Sequence, residues 1–265
     1  MDYRDYQLGA TKDFFWHKAK NQLIEMLLNK LKSGRKLKIL NLGAGTGEDL
    51  PVISKFGEVY VIDVDSNALN LIPEHFVLEK KVCDACHISY PDDFFDSVVA
   101  FDVLEHIEDD RLAVNEIYRV LKLDGFFIFT VPAFNFLYSS HDRALKHFRR
   151  YDKRTIKNLL LNLKCIESGY WVFSLFLPVA IQRIMNRKET DNPKIHFMRL
   201  PIFVNNILCS LLKIENWLIK HHIPLPVGTS IYGIYQKEKR RKNVKKEKAS
   251  GTSCNNYCQG YSFNE

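Results

Sequence analysis

Residues 38–63 read KILNLGAGTGEDLPVISKFGEVYVID, and the fold turns on how this stretch divides. Lys38 to Leu42 is rich in β-formers and stops at three glycines, Gly43, Gly45 and Gly47, after which a helix-compatible run begins near Glu48. The order is strand, tight glycine turn, helix. A second apolar strand, Val59 to Ile62, then delivers Asp63 at its carboxyl end. Glycines let the backbone approach a ligand and present N–H groups near a helix N-terminus, while a carboxylate placed here accepts both hydroxyls of a ribose. The unit is built for a nucleoside-containing cofactor.

Spacing separates the candidates. A dinucleotide fingerprint, G-x-G-x-x-G, requires glycine at position 48, where this chain has Glu48, so a nicotinamide oxidoreductase is disfavoured. The pattern present, G-x-G-x-G, resembles that of the class I S-adenosylmethionine-dependent methyltransferases, in which an acidic residue precedes x-G-x-G-x-G and a second acid ends the next strand. Asn41 stands at the usual acidic position. The resemblance implies S-adenosylmethionine as cofactor, held by Gly43, Ala44, Gly45, Gly47 and Asp63. It also implies Asp84 at the adenine amino group, Ala85 beside the ring and Phe101 facing the cofactor.

Successive segments fit that frame. The run FFWHKAKNQLIEMLLNKL repeats Phe15, Leu23, Ile24, Leu27, Leu28 and Leu31 at helical spacing, a helix against the core that Ser33-Gly34 ends. Ser66 is expected to cap a helix over 67–72, which Pro73 stops, and 76–82 reads as a third strand. Phe95 to Phe101 is a fourth, apolar enough to be buried on both faces, followed by D-V-L-E-H-I, similar to the family's post-strand motif. Residues 109–121 predict a helix with Leu112, Ile117, Val120 and Leu121 inward, and Asp124-Gly125 turns into strand five, 126–131. Residues 164–173 and 229–236 read as strands six and seven, which in the family form an antiparallel edge. The expected architecture is α/β: a Rossmann-like, seven-stranded, mostly parallel sheet with helices on both faces and an apolar helical insertion, 174–228, between the last two strands. Residues 1–236 form this domain, and 237–265 a basic, disordered tail.

Composition agrees with one large domain. The chain has 265 residues, 46% hydrophobic and 26% charged, with a net charge of +7. Lys237 to Lys248 alone holds eight basic and two acidic residues, six of those seven charges, so nucleic acid is not expected as a partner. Met1 to Ala10 is polar and mixed in charge, unlike a signal peptide, and a cytoplasmic protein with reduced thiols is expected. Cys83-Asp84-Ala85-Cys86-His87 matches the C-x-x-C-H of haem attachment, but that chemistry needs an exported chain. Cys254 and Cys258 make only half a metal site.

The chemistry is expected beyond strand five, in PAFNFLYSSHDRALKHFRRY, residues 132–151. Methyl transfer from a sulfonium is an in-line displacement that asks the protein for alignment and, with a hydroxyl acceptor, for proton removal. His141 or His147 suits the base, with Asp142 beside them, and Arg149, Arg150 and Tyr151 suit an anionic acceptor. The same string also serves as a purely structural cap for the next helix. Its pattern is similar to that of methyltransferases of surface-polysaccharide and lipid-linked-glycan pathways, which implies O-methylation of a sugar or glycan intermediate. The alternatives are a small phenolic, quinone-like acceptor and a catalytically silent cofactor-binding module. Asp102, Glu105, His106 and His147 resemble in outline a divalent-metal set of small-RNA methyltransferases, but L-E-H-I also occurs in metal-independent members, and no metal is expected. Within the insertion, 200–222 is a second apolar helix, either a cap packed on the domain or an interfacial helix with Trp217, Lys213 and Lys220 at a membrane rim, which would place the protein peripherally at the inner face of the membrane.

Overall fold

The computed structural model describes residues 14–31, 34–185 and 200–238. The tail from 239 with Cys254 and Cys258, the N-terminal residues 1–13, Ser33 and the middle of the insertion lie outside the described residues. A seven-stranded sheet is ordered β3-β2-β1-β4-β5-β7-β6, from β1 (Leu37–Leu42), β2 (Gly57–Asp63), β3 (Glu79–Val82), β4 (Phe95–Phe101), β5 (Leu121–Pro132), β6 (Lys164–Trp171) and β7 (Ser230–Gln236). Side chains alternate across it: Ile39, Val59, Val61, Val99 and Phe101 feed one core, while Leu40, Tyr60, Ile62, Val98 and Ala100 feed the other. Helices close both faces. The first core takes α1 (Phe15–Asn29) and the short α2 (Leu50–Ile53) and α3 (Ser66–Asn70), and the second takes α4 (Asp110–Val120).

Both expected edge strands are present, but only β7 is reversed. It pairs antiparallel with β5 and with β6, which leaves β6 parallel to the other five. Several boundaries also move. β3 begins at Glu79 because Pro73 starts a 3₁₀ turn over Glu74–Phe76. Asp65, not Ser66, caps α3, its carboxylate accepting from the Asn67 and Ala68 amides at 2.8 and 3.4 Å. On α4, Ile117 and Val120 face inward as expected, joined by Ala113 and Val114, while Leu112 is 38% exposed. β5 starts at Leu121, whose pairing with Phe95 precedes a register shift. Lys237 belongs to the domain rather than the tail: its ammonium donates to Asp93 Oδ1 at 2.8 Å and the Leu121 carbonyl at 2.6 Å.

The insertion contributes α7 (Phe176–Met185) and α8 (Ile202–Lys220); α5 (Ser140–Ala144) and α6 (Lys153–Leu159) precede β6. α8 packs along α1. Asn216 donates to the Ala19 carbonyl at 2.9 Å, and Asn205 accepts from the Phe15 amide at 2.8 Å, satisfying a first-turn donor of α1. Buried Glu215 accepts from the Phe173 and Ser174 amides at 2.9 and 2.8 Å and so ties α8 to the end of β6.

At the amino end of the sheet, Asp96 collects a two-point contact from Arg35 at 2.6 and 3.1 Å, the Lys38 amide at 2.8 Å and Lys122 at 2.9 Å. Burial alone would raise its carboxyl, but Arg35, the Lys38 amide and Lys122 prevail and hold it at about 2. Its folded pKa is depressed, so the stabilisation is complete above the ordinary carboxylate range and is lost as pH falls from about 4 toward about 2. Asp96→Ala is expected to cost about 2–3 kcal/mol in urea unfolding at neutral pH. The deficit should shrink in acid while cofactor affinity stays unchanged, since the glycine loop lies at the other end of the strands.

Candidate functional site

At the carboxyl ends of β1 and β2 the glycine loop turns as the sequence requires. Gly43 and Gly47 have φ of +65° and +81°, and a Cβ on Gly43 would lie 2.5 Å from Val103 Cγ1, so a larger residue meets both strain and a wall. The Gly43 amide donates to the Ile62 carbonyl at 2.8 Å, and the Ala44 amide reaches the same oxygen at 3.4 Å. The Gly45 amide donates to Asp63 Oδ2 at 2.8 Å, with Asp63 Oδ1 taking the Asp65 amide at 2.9 Å. Asp84 is exposed after β3 and accepts from the Cys86 amide at 2.8 Å, while half-buried Ala85 packs on the second core. Phe101 is buried at the end of β4. The expected cofactor residues therefore come together along the carboxyl edge of β1, β2, β3 and β4.

An unexpected group sits over this edge. Lys20 of α1 reaches Asp102 at 3.1 Å, Asp49 at 3.5 Å and the Phe101 carbonyl at 3.5 Å. Burial works against its charge, but Asp49 and Asp102 outweigh that and hold the ammonium well above its usual range. Asp102 is lowered in turn: burial opposes ionisation, and Lys20 and the Thr130 hydroxyl at 3.0 Å overcome it. His17 pairs with Glu48 at 2.8 Å. The acidic dipeptide Glu48-Asp49 was the visible clue; its cationic partners lay a helix away in sequence.

Beyond β5, residues 134–150 form an excursion pinned at both ends. A bridge joins Ala133 to Tyr151, and the Phe134 and Tyr151 amides donate across it at 2.7 and 2.9 Å. At its centre lies Asp142, with no exposed surface. It closes a capping box with Ser139 and accepts from Arg150 Nε at 2.8 Å and Arg183 Nη1 at 3.2 Å, and it meets His147 Nδ1 at 3.1 Å. Burial would raise it, but His147, Arg150 and Arg183 keep the carboxyl far below the usual range. Arg183 comes from α7, which no loop motif foretold; burial lowers it, and the Arg150 charge adds to the effect.

Two of the residues expected to hold an acceptor face inward. Arg150 is 7% exposed and donates to Asp142 and to the Ala133 carbonyl at 3.1 Å. Tyr151 is buried, its hydroxyl meeting Asp110 Oδ2 at 2.9 Å and the Leu104 carbonyl at 3.1 Å. Arg149 is half-buried and bonds Asp110 and the Glu108 carbonyl. Arg149 and Tyr151 tie the loop to the start of α4, and Arg150 holds its interior, because a buried guanidinium or phenol must be satisfied from within. His141 lies at the rim, pushed down to about 4 by enclosure among protein atoms and then by the Arg183 charge. A hollow of about 440 Å³ is lined by Asn135, Tyr138, Arg143 and Phe148.

A second cluster abuts the loop. The Phe148 amide donates to the Glu105 carbonyl at 2.8 Å, which sets the His147 ring edge-on to His106 with centroids 4.5 Å apart. Donor atoms of Glu105, His106 and His147 all lie within 4.8 Å of one another. Glu105 is buried, which raises its carboxyl well above the ordinary range with help from Asp102, and its Oε2 has no partner among the described residues. His106 is lowered to about 4 by burial and then by His147.

This is the edge of a doubly wound sheet carrying a nucleoside-cofactor loop and, beside it, a histidine–carboxylate pair. A family model described as a methyltransferase domain matches residues 40–129. The MJ0638 protein of Methanocaldococcus jannaschii is 33% identical over 109 residues, 41% of this chain and 46% of that protein. The ubiquinone/menaquinone biosynthesis C-methyltransferase UbiE of Neisseria meningitidis is 33% identical over 105 residues, 36% of this chain and 42% of the enzyme. The chain thus spans less than half the length of these two relatives. Among solved structures, phosphoethanolamine N-methyltransferase 2 of Haemonchus contortus with S-adenosyl-L-methionine superposes with a TM-score of 0.55 at 22% identity, over 83% of this chain and 53% of that one. Residues 40–129 thus match a methyltransferase domain, and the sheet around them has the fold of a solved methyltransferase.

Asp142→Ala strands Arg150 and Arg183 without their carboxylate and is expected to cost about 3–5 kcal/mol in urea unfolding. Arg183→Gln, which leaves Asp142 its other partners, should cost clearly less. Equal losses would mean that the insertion contact, not the loop interior, holds this region.

Proposed function

We propose that the chain methylates a hydroxyl of a sugar or lipid-linked glycan intermediate, with His147 as the base. The observation that carries this reading is the Asp142–His147 contact. Nδ1 faces a buried carboxylate, so the imidazole is fixed in orientation and Nε2 is left to take a proton. Bound S-adenosylmethionine would supply the methyl group on a sulfonium, and His147 Nε2 would take the proton of the acceptor hydroxyl as its oxygen displaces the thioether S-adenosylhomocysteine in line. His141, held mostly neutral at the rim but weakly basic, is the second candidate. Arg143, beside the 440 Å³ hollow, takes over the acceptor role once given to Arg149, Arg150 and Tyr151.

A lipid-linked acceptor fits the insertion. α7 exposes Leu177, Ile181 and Ile184, and α8 exposes Ile202, Phe203, Ile207, Ile214 and Trp217. α8 is long and apolar enough to cross a membrane. Its opposite face, however, buries Glu215 and Asn216 with hydrogen bonds into the domain, so we place it flat at an interface, and the protein in the cytoplasm at the inner membrane face. The likeness to UbiE favours a second reading, a small quinone-like phenol as acceptor.

Calorimetric titration with S-adenosylhomocysteine should give micromolar binding, with NAD silent. Asp63→Ala should weaken it about 100-fold or more, the loss of two charge-assisted hydrogen bonds. His147→Gln should keep that affinity and lower methyl transfer from labelled cofactor to membrane glycolipid extract by roughly 10²–10⁴-fold. Label entering only phenolic acceptors would select the second reading. Binding of NAD in place of the thioether would sink both.

A further inference from the structure

Glu105, His106 and His147 are a carboxylate and two imidazoles whose donor atoms lie within 4.8 Å of one another. With His147 Nδ1 engaged by Asp142 at 3.1 Å, Nε2 is the nitrogen left to coordinate. A carboxylate on the far nitrogen of a histidine is the outer partner that fixes tautomer and direction in metal sites. The third donor supplies the independent observation: Glu105 is 1% exposed, and its Oε2 has no hydrogen-bond partner among the described residues, although a carboxylate oxygen of Glu105 lies within 4.8 Å of the His106 and His147 donor atoms. An orphaned buried carboxylate oxygen is costly unless something positive completes it. Asp102 adds negative charge nearby, and Lys20 and Arg150, the cations that also act on Glu105, are committed to Asp102 and Asp142.

We infer that Glu105, His106 and His147 bind a divalent transition-metal ion, zinc or manganese in chemical class. Two imidazoles and one carboxylate are a three-ligand set that leaves open positions, rather than the closed four-ligand set of a structural site. The inference goes beyond the methyl-transfer reading and does not need it. Nε2 has one lone pair, so an ion there competes with the acceptor's proton for His147.

The test uses the full chain and the metal alone. Zn²⁺ and Mn²⁺ are titrated calorimetrically into wild type and into Glu105→Gln, His106→Ala and His147→Ala, with S-adenosylhomocysteine binding and urea unfolding as controls for the fold. One ion per chain is expected, with affinity reduced at least tenfold in each variant and unchanged in His87→Ala. Co²⁺ bound at the same site should give visible ligand-field absorption that disappears in Glu105→Gln. No ion taken up by wild type, or affinity unmoved in the three variants, overturns the inference. So does an ion lost instead from Cys83→Ser, which would belong to the C-x-x-C-H segment. Cofactor binding that fails while zinc still binds would count against the methyl-transfer reading alone.

Discussion

A carboxylate without access to water governs the reacting side of this molecule. Asp142 has no exposed surface, and water cannot supply the hydrogen bonds it needs. Ser139, Arg150, Arg183 and His147 supply them. Each partner carries a piece of structure with it. Ser139 starts α5, Arg150 closes the excursion beyond β5, and Arg183 draws α7 down onto the domain. His147 is turned so that Nδ1 faces the carboxylate. The loop keeps a shape despite its length because its centre is an anion surrounded by donors.

A second, shallower set of charges covers the cofactor edge. Lys20, buried between Asp49 and Asp102, and His17, paired with Glu48, fasten α1 across the mouth of the glycine loop. α1 is held from behind by α8 through Asn205 and Asn216. The insertion thus touches both halves of the site, one helix through Arg183 and the other through α1. An apolar surface laid along α7 and α8 has a short mechanical path to the glycine loop and to Asp142.

How much of this could be read from the sequence depends on the range of the interaction. The strand–glycine–helix unit, the carboxyl-edge acids and the alternation of buried strands are local patterns of period and spacing, and they were legible in full. So was the seven-stranded α/β sheet, although the parallel direction of β6 was not, because direction is fixed by pairing with β7 some sixty residues away. Helix caps shifted by a residue where two acceptors stood side by side, Asp65 before Ser66. Arg150 and Tyr151, read as acceptor contacts, are turned into the interior for a physical reason. A basic, aromatic string looks alike whether its donors face solvent or a buried Asp110 and Asp142, and only packing tells the two apart. Lys20 and Arg183 were invisible for the complementary reason: each is an ordinary helix residue until the chain closes and puts a carboxylate opposite it.

The position of β7 bears on how the chain is made. Among the described strands, the one latest in sequence, β7, lies inside the sheet, between β5 and β6, and not at its border. While the ribosome is still adding the insertion, the outer edge of β5 is a row of unmatched amides and carbonyls, and β6 has no neighbour to join. The half of the sheet that carries the cofactor loop can assemble early, because β1 to β5 are contiguous in sequence and in space. The other half waits for β7, which pairs with β5 on one side and brings in β6 on the other. Until β7 arrives, the nascent protein carries an open edge on β5 that a chaperone or another chain can occupy, and β7 is the strand that removes it.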